Sequence, residues 1–330
     1  MHCATSRNTQ TGQGFPVSGE LVDVHAHVLP DWYVDAAKAA GHTTPDAMPG
    51  WPTWSVQEHL AMMDQVGIDR SVLSISSPGV HFGDDTAAGS LAVEVNDFMR
   101  GLHREHPGRF EYFAALPLPD VGRAINEARR TRDLPGRSGV GIESNAHGVY
   151  LGDPALEPLW HELAAQRAVV FVHPTAPPGF DPTLTGYPAP LLEYLFDTTR
   201  TIVHLAAAGV LRRHPEIRFI VPHCGAVLPM VLSRVDLFRL AGLVPSDVDG
   251  DLGWEQLWFD LAGAPVPDQL GAFSRRFGTG HLLYGSDFCF TPAFAVDLLA
   301  KQLDDGWPDE RGPWRVQVAE NSAALFGRNT

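Results

Sequence analysis

Eight times from residue 21 onward the chain repeats one unit. A short run rich in Val, Ile, Leu and Phe meets a polar or Pro/Gly stop, and a longer stretch with helical apolar spacing follows. The runs are LVDVHAH (21–27), RSVLSIS (70–76), FEYFAALP (110–117), GVGIES (139–144), AVVFVHP (168–174), RFIVPH (218–223), LWFDLA (257–262) and LLYGSD (282–287). Strands alternating with helices in this way predict parallel βα units. Closure into a (β/α)8 TIM barrel is the economical solution, because an open sheet of that width would leave two edges to protect. The alternative is a doubly wound open sheet, but no GxGxxG turn follows the first run.

No stretch is rich enough in Pro, Gly or Ser to divide the chain, so one domain is expected over residues 19–330. Residues 1–18 are polar and lack the apolar core of a signal peptide; a disordered tail is expected there. Two connections are longer than a barrel needs, 28–54 after the first run and 174–190 after the fifth. Both are rich in proline and glycine, and both should wall the mouth at the C-terminal ends of the strands.

The formal charge of −15 and the lack of any Lys/Arg run argue against nucleic acid and anionic membrane as partners. No uninterrupted apolar stretch reaches the roughly 18 residues of a membrane span. Cys3, Cys224 and Cys289 form no CxxC and cannot all pair, which suits a reducing compartment, so a cytoplasmic location is expected.

Side chains two apart on a strand point the same way, so His25 and His27 can converge on one ion. Alone, HxH says little. Three other runs also stop on ligand-type residues, at His173, His223 and Asp287, and a barrel gathers all five at its C-terminal mouth. Imidazoles with a carboxylate suit Zn2+ first, with Mn2+ or Fe2+ as alternatives in a more oxygen-rich site. His and Asp at a mouth leave room for water or substrate, unlike the closed cysteine shell of a structural zinc, so a catalytic ion is expected.

DVHAH, VFVHP, PHCGAVLP, YGSDF and ENSAALFG, in that order over residues 21–327, resemble the amidohydrolase superfamily. Within it they resemble the branch related to aminocarboxymuconate-semialdehyde decarboxylase. AGHTTPDAMPGWPTW and SISSPGVHFGDD are similar to bacterial proteins of the 6-methylsalicylate decarboxylase type. The resemblance implies that His25, His27, His173 and Asp287 hold the metal and that His223 is the acid or base beside it. It also implies a homodimer in which Arg234 reaches a neighbouring subunit's substrate carboxylate, a role that a guanidinium fits through two parallel hydrogen bonds. A solvated helix arginine is the plain alternative for Arg234.

Many superfamily hydrolases bridge two metals with a carbamylated lysine on strand four. Here neither Lys38 nor Lys301 ends a strand, so one metal is expected. Glu143 lies near that position and reads as a satisfied interior carboxylate, as does Asp23, while His204 reads as a core histidine. Trp51 and Trp54 offer an aromatic wall or ordinary loop packing. His81, Phe288 and Phe290 are further substrate contacts in prospect, with packing as the plain reading of each.

The expected activity is metal-dependent, non-oxidative decarboxylation of a small ortho-hydroxy aromatic acid such as 6-methylsalicylate, with His223 or Asp287 delivering a proton. Hydrolysis of a lactone or amide by metal-activated water would use the same residues. A metal-stabilised binding protein is the non-catalytic alternative.

Overall fold

The computed structural model describes residues 19–244, 252–308 and 312–327. The tail expected at 1–18 lies outside the described residues. The eight runs form β1 (Val22–His27), β2 (Arg70–Ser74), β3 (Phe110–Ala115), β4 (Arg137–Glu143), β5 (Val169–His173), β6 (Arg218–Val221), β7 (Leu257–Asp260) and β8 (Leu282–Leu283). They pair in sequence order, and every pairing is parallel. Parallel bridges Asp23 to Tyr284 and Ala26 to Phe288 close β8 onto β1, so the sheet is a barrel and neither end strand is left as an edge.

Each strand is followed by a helix: α1 (Val56–Val66), α2 (Asp85–Glu105), α3 (Val121–Thr131), α4 (Glu157–Ala165), α5 (Glu193–Ala207), α6 (Leu228–Leu240), α7 (Asp268–Phe277) and α8 (Ala293–Gly306). A further helix, α9 (Trp314–Phe326), ends the described chain. Ser55, Asp84 and Asp120 cap α1, α2 and α3 by accepting from backbone N–H groups, which fixes where three of the helices begin. α5 stops before Gly209, which takes a left-handed φ of 74°, and a separate short helix follows at Val210–Arg213.

Val22, Val24, Val72, Phe113, Val169, Phe171, Ile220, Trp258 and Leu283 fill the barrel, and a larger apolar shell packs between sheet and helices. The C-terminal ends of the strands then carry the polar residues. β8 is shorter than its pattern suggests: after Leu283 the chain leaves regular strand pairing and carries Tyr284, Asp287 and Phe288 against β1 by isolated bonds. The connection after β1 holds a helix at Asp31–Ala39, so part of that wall is regular structure. No helix among the described residues is long and apolar enough to cross a membrane.

Candidate metal centre

His25 and His27 reach the mouth from β1, His173 from the end of β5, and Asp287 from the turn beyond β8. One donor atom from each lies within 4.8 Å of the others. That is close to the widest spacing of two ligands on one ion bound at about 2.0–2.2 Å. Among the described residues no other group of three or more His, Cys, Asp or Glu converges in this way.

The backbone dictates the arrangement. The Asp287 N–H donates to the His25 carbonyl at 2.7 Å and the His27 N–H to the Phe288 carbonyl at 2.6 Å, stitching the Asp287 turn to β1. Gly285 permits the approach: a Cβ there would lie 2.9 Å from the His25 Cβ. Asp287 itself holds a left-handed φ of 56°, and His223, Cys224, Gly225 and Ala226 all take positive φ in succession. Non-glycine residues in that region are strained and concentrate at working sites.

The far side of each imidazole is tied down. His25 Nδ1 bonds Asp260 Oδ2 at 2.9 Å, His27 Nδ1 meets Ser74 Oγ at 3.0 Å, and His173 Nδ1 lies 3.4 Å from Glu143 Oε2. The opposite nitrogens of His25 and His27 are not satisfied, whereas His173 Nε2 lies 3.5 Å from Ser76 Oγ. His25 Nε2 and His27 Nε2 are buried with no hydrogen-bond partner, aimed at Asp287 Oδ1 from 3.5 and 3.3 Å. Two orphaned buried nitrogens facing a carboxylate would be costly in a structural core; a cation between them satisfies all three groups. The donor set fits one divalent ion with Nδ1 supported behind each ring.

Electrostatics agree with that fit. Burial holds His27 and His173 below the ordinary imidazole range, so both present the neutral rings a metal needs. Burial also opposes charge on Asp287, but His25, His223 and His27 outweigh it and keep the carboxyl well below its usual range. His25 is opposed by burial too, yet Asp260 and Asp287 prevail and raise it to about 9. An ion held by these residues would replace that extra proton.

A cavity of about 400 Å³ opens on the donors. His223 enters it with Nε2 at 3.8 Å from Asp287 Oδ2, and Tyr194, Pro190, Phe290 and Met48 supply apolar surface. Asp46, from the loop after β1, takes the Tyr194 hydroxyl at 2.6 Å and the Ala176 N–H at 3.2 Å, joining the two long connections at the cavity rim.

Of the residues named from sequence for substrate contact, Phe290 lines this cavity and the others stand elsewhere in the single chain. Trp54 donates to His59 Nδ1 at 3.1 Å, and Phe288 packs on the same histidine at 4.9 Å. Trp51 lies against Tyr33. His81 bonds His147 and Asp85, each at 2.8 Å, on a second cavity of about 410 Å³ that also contains Glu143. Arg234 is exposed on α6 with its guanidinium 4.7 Å over the Phe238 ring.

His204 is not in the core: α5 turns Ile202 and Leu205 inward and leaves His204 exposed. Asp23 is buried as expected and takes both the Ser286 hydroxyl, at 2.6 Å, and its N–H, at 3.0 Å. Asp260 and Asp46 were missed by the sequence reading. Asp260 had a signal, since LWFDLA also ends its strand on an ionisable residue; Asp46 sits in a loop with no periodicity to mark it.

Comparison with known proteins places this site in context. A family model described as amidohydrolase matches residues 22–326. The decarboxylase yanB of Aspergillus niger is 32% identical over 94% of this chain and 88% of its own length. The 6-methylsalicylic acid decarboxylase acuB of Aspergillus aculeatus is 31% identical over 93% of this chain and 96% of its own. A crystal structure described as an amidohydrolase II superposes with a TM-score of 0.85 at 32% identity, covering 94% of this chain and all of the other. A dihydroxybenzoic acid decarboxylase from a Polaromonas species, with bound manganese and 2-nitroresorcinol, shares the fold at a TM-score of 0.79 and 21% identity, covering 94% and 97%.

Proposed function

The chain belongs to the amidohydrolase family, and from that premise we propose that it is a metal-dependent carboxy-lyase removing CO2, without oxidation, from a small ortho-hydroxy aromatic acid of the 6-methylsalicylate kind. One observation carries the reading: a cavity of about 400 Å³ sets His223 beside Asp287 at a four-residue metal donor set, with Tyr194 and Phe290 along its wall. Relatives aligned over nearly the whole chain are decarboxylases.

When bound by His25, His27, His173 and Asp287, a divalent ion supplies Lewis-acid attraction for the hydroxyl and carboxylate oxygens of the acid. The remaining work falls to the protein. Direct loss of CO2 would leave a carbanion in the ring plane, out of conjugation. A proton delivered first to the carboxyl-bearing carbon avoids it, because the C–CO2 bond then breaks with its electron pair restoring the aromatic ring. His223, whose Nε2 stands at the cavity wall 3.8 Å from Asp287 Oδ2, is the group placed to deliver that proton, with Asp287 the alternative donor. Tyr194, Pro190 and Phe290 orient the ring and keep water from it.

Three imidazoles with one carboxylate favour Zn2+; Mn2+ is the alternative, and metal analysis of the purified protein separates them. Arg234 shares the outer face of α6 with exposed Met230, Leu237 and Leu240. That apolar surface supports a homodimer, with Arg234 directed to the acid's carboxylate in the partner's cavity. The two buried free cysteines, Cys224 and Cys289, suit the reducing cytoplasm.

The test is mass spectrometry of products after metal-loaded protein meets 6-methylsalicylate, other ortho-hydroxybenzoates and a panel of aryl lactones. Loss of CO2 from one acid, abolished by chelation and reduced about 10²- to 10⁴-fold in His223→Asn, is expected. Gain of water on a lactone, with no acid consumed, would overturn the reading in favour of hydrolysis.

A further inference from the structure

We infer that Asp260, at the end of β7, is a positioning residue that bolts a metal ligand and the acid/base histidine to one carboxylate. The inference rests on the metal-dependent reading above. Asp260 is fully buried, and its two oxygens have separate tasks. Oδ2 accepts from His25 Nδ1 at 2.9 Å. Oδ1 accepts the backbone N–H of His223 at 3.0 Å and that of Ala262 at 2.9 Å.

The first task fixes what His25 presents. A ring whose Nδ1–H is donated to a carboxylate has its other nitrogen, Nε2, free to offer a lone pair, and His25 Nε2 is the buried, unpartnered atom that faces Asp287. The second task holds the strained turn. His223 begins four successive residues of positive φ, and a turn of that kind persists only when its surroundings over-determine it. Asp260 pins its first N–H, while Gln269 Nε2 donates to the carbonyls of His223 and Ala226 at 2.6 and 3.0 Å. Ala262 is itself part of the cavity wall, so the same carboxylate sets the distance from wall to ligand.

The two tasks come apart in two variants. In Asp260→Asn the remaining oxygen stays on the two backbone donors, and the new NH2 faces His25 Nδ1. A donor then opposes a donor, and the ring can no longer present Nε2 to a cation with its proton satisfied. In Asp260→Ala both supports are lost.

The expected results use Zn2+ as the probe on the full chain. Asp260→Asn weakens Zn2+ affinity about 10- to 100-fold, and its turnover returns to within a few-fold of the parent at saturating Zn2+. Asp260→Ala shows a similar loss of affinity but stays at least about tenfold slow at saturating Zn2+, because His223 has lost its brace. In the Zn2+-loaded parent labelled with 15N-histidine, one downfield, slowly exchanging Nδ1–H belongs to His25, and it disappears in Asp260→Asn.

Unchanged Zn2+ affinity in Asp260→Asn overturns the ligand half. Full recovery of Asp260→Ala at saturating metal overturns the bracing half. If neither variant folds, the parent's own spectrum decides: a protected Nδ1–H on His25 supports the assignment, and a freely exchanging one refutes it. A parent that binds no Zn2+, Mn2+ or Fe2+ sinks the metal reading itself, an outcome distinct from the others.

Discussion

Asp197, fully buried, and Asp287, part-buried on the cavity, are carboxylates at the same end of the barrel, and they are served in opposite ways. Asp197 is saturated: it accepts from Ser144 Oγ, from Asn145 Nδ2 at 2.9 Å, from the Tyr150 hydroxyl at 2.5 Å and from Arg200 Nη1 at 2.7 Å. Asp287 faces ring nitrogens at 3.3 to 3.8 Å instead, and two of those nitrogens have no other partner. The histidines repeat the contrast. His59, fully buried, accepts from Trp54 at 3.1 Å and meets Ser71 Oγ at 3.3 Å, whereas His25 and His27 are each satisfied on one side only. A buried polar group with all its partners holds the fold together, and one whose open side converges with others is kept for a ligand.

The sharpest way to break this distinction is to truncate the open carboxylate. Asp287→Ala should abolish stoichiometric metal binding and lower turnover by more than about 10³-fold, while leaving the fold intact. Dialysis against Zn2+ followed by metal analysis checks it, with circular dichroism as the fold control. Retained one-to-one metal would show that the unsatisfied nitrogens are a packing defect and that the contrast carries no chemistry.

Much of this contrast could be read before any coordinates. Strand ends are visible in a βα sequence, and a barrel brings strand ends together, so His25, His27, His173, His223 and Asp287 could be assigned to one mouth from pattern alone. Residues on the connections could not. Trp54 and Asp46 both lie between β1 and β2, yet Asp46 lines the cavity at the donors while Trp54 turns away to His59. Which of them faces the donor residues depends on how a 27-residue connection folds, and loops carry no period from which a facing side follows. Asp260 does end its strand as the ligands do, but it acts behind one of them, and a strand-end position alone does not tell a ligand from the residue that supports it.

The saturated cluster gives the intermediate effect. Asp197→Ala should destabilise the metal-free protein by about 3 kcal/mol, since four donors lose their acceptor and two of them, Ser144 and Asn145, are buried. Metal stoichiometry should not change. Urea unfolding beside metal analysis tests both halves, and loss of the metal with little loss of stability would reverse the roles assigned to the two aspartates.

The smallest effect concerns His59. Burial holds its pKa down to about 3, with the neighbouring His27 and Arg109 adding to the shift, against about 6.5 in an unfolded chain. Below pH 6.5 the unfolded chain takes up a proton that the folded protein refuses. The stability contributed by a neutral His59 is therefore complete above that pH and falls as pH drops toward 3, by at most about 1.4 kcal/mol per unit. Other buried histidines, His27 and His173 among them, share the trend, so the useful quantity is a difference between proteins. His59→Gln can keep a donor and an acceptor for Ser71 and Trp54 but cannot titrate, and its unfolding free energy between pH 6.5 and 5 should fall less steeply than the parent's by close to that amount. Metal affinity should match the parent's throughout. Equal slopes would mean that His59 takes up its proton within the fold, and full satisfaction by neighbours would then no longer separate a structural histidine from a ligand in this barrel.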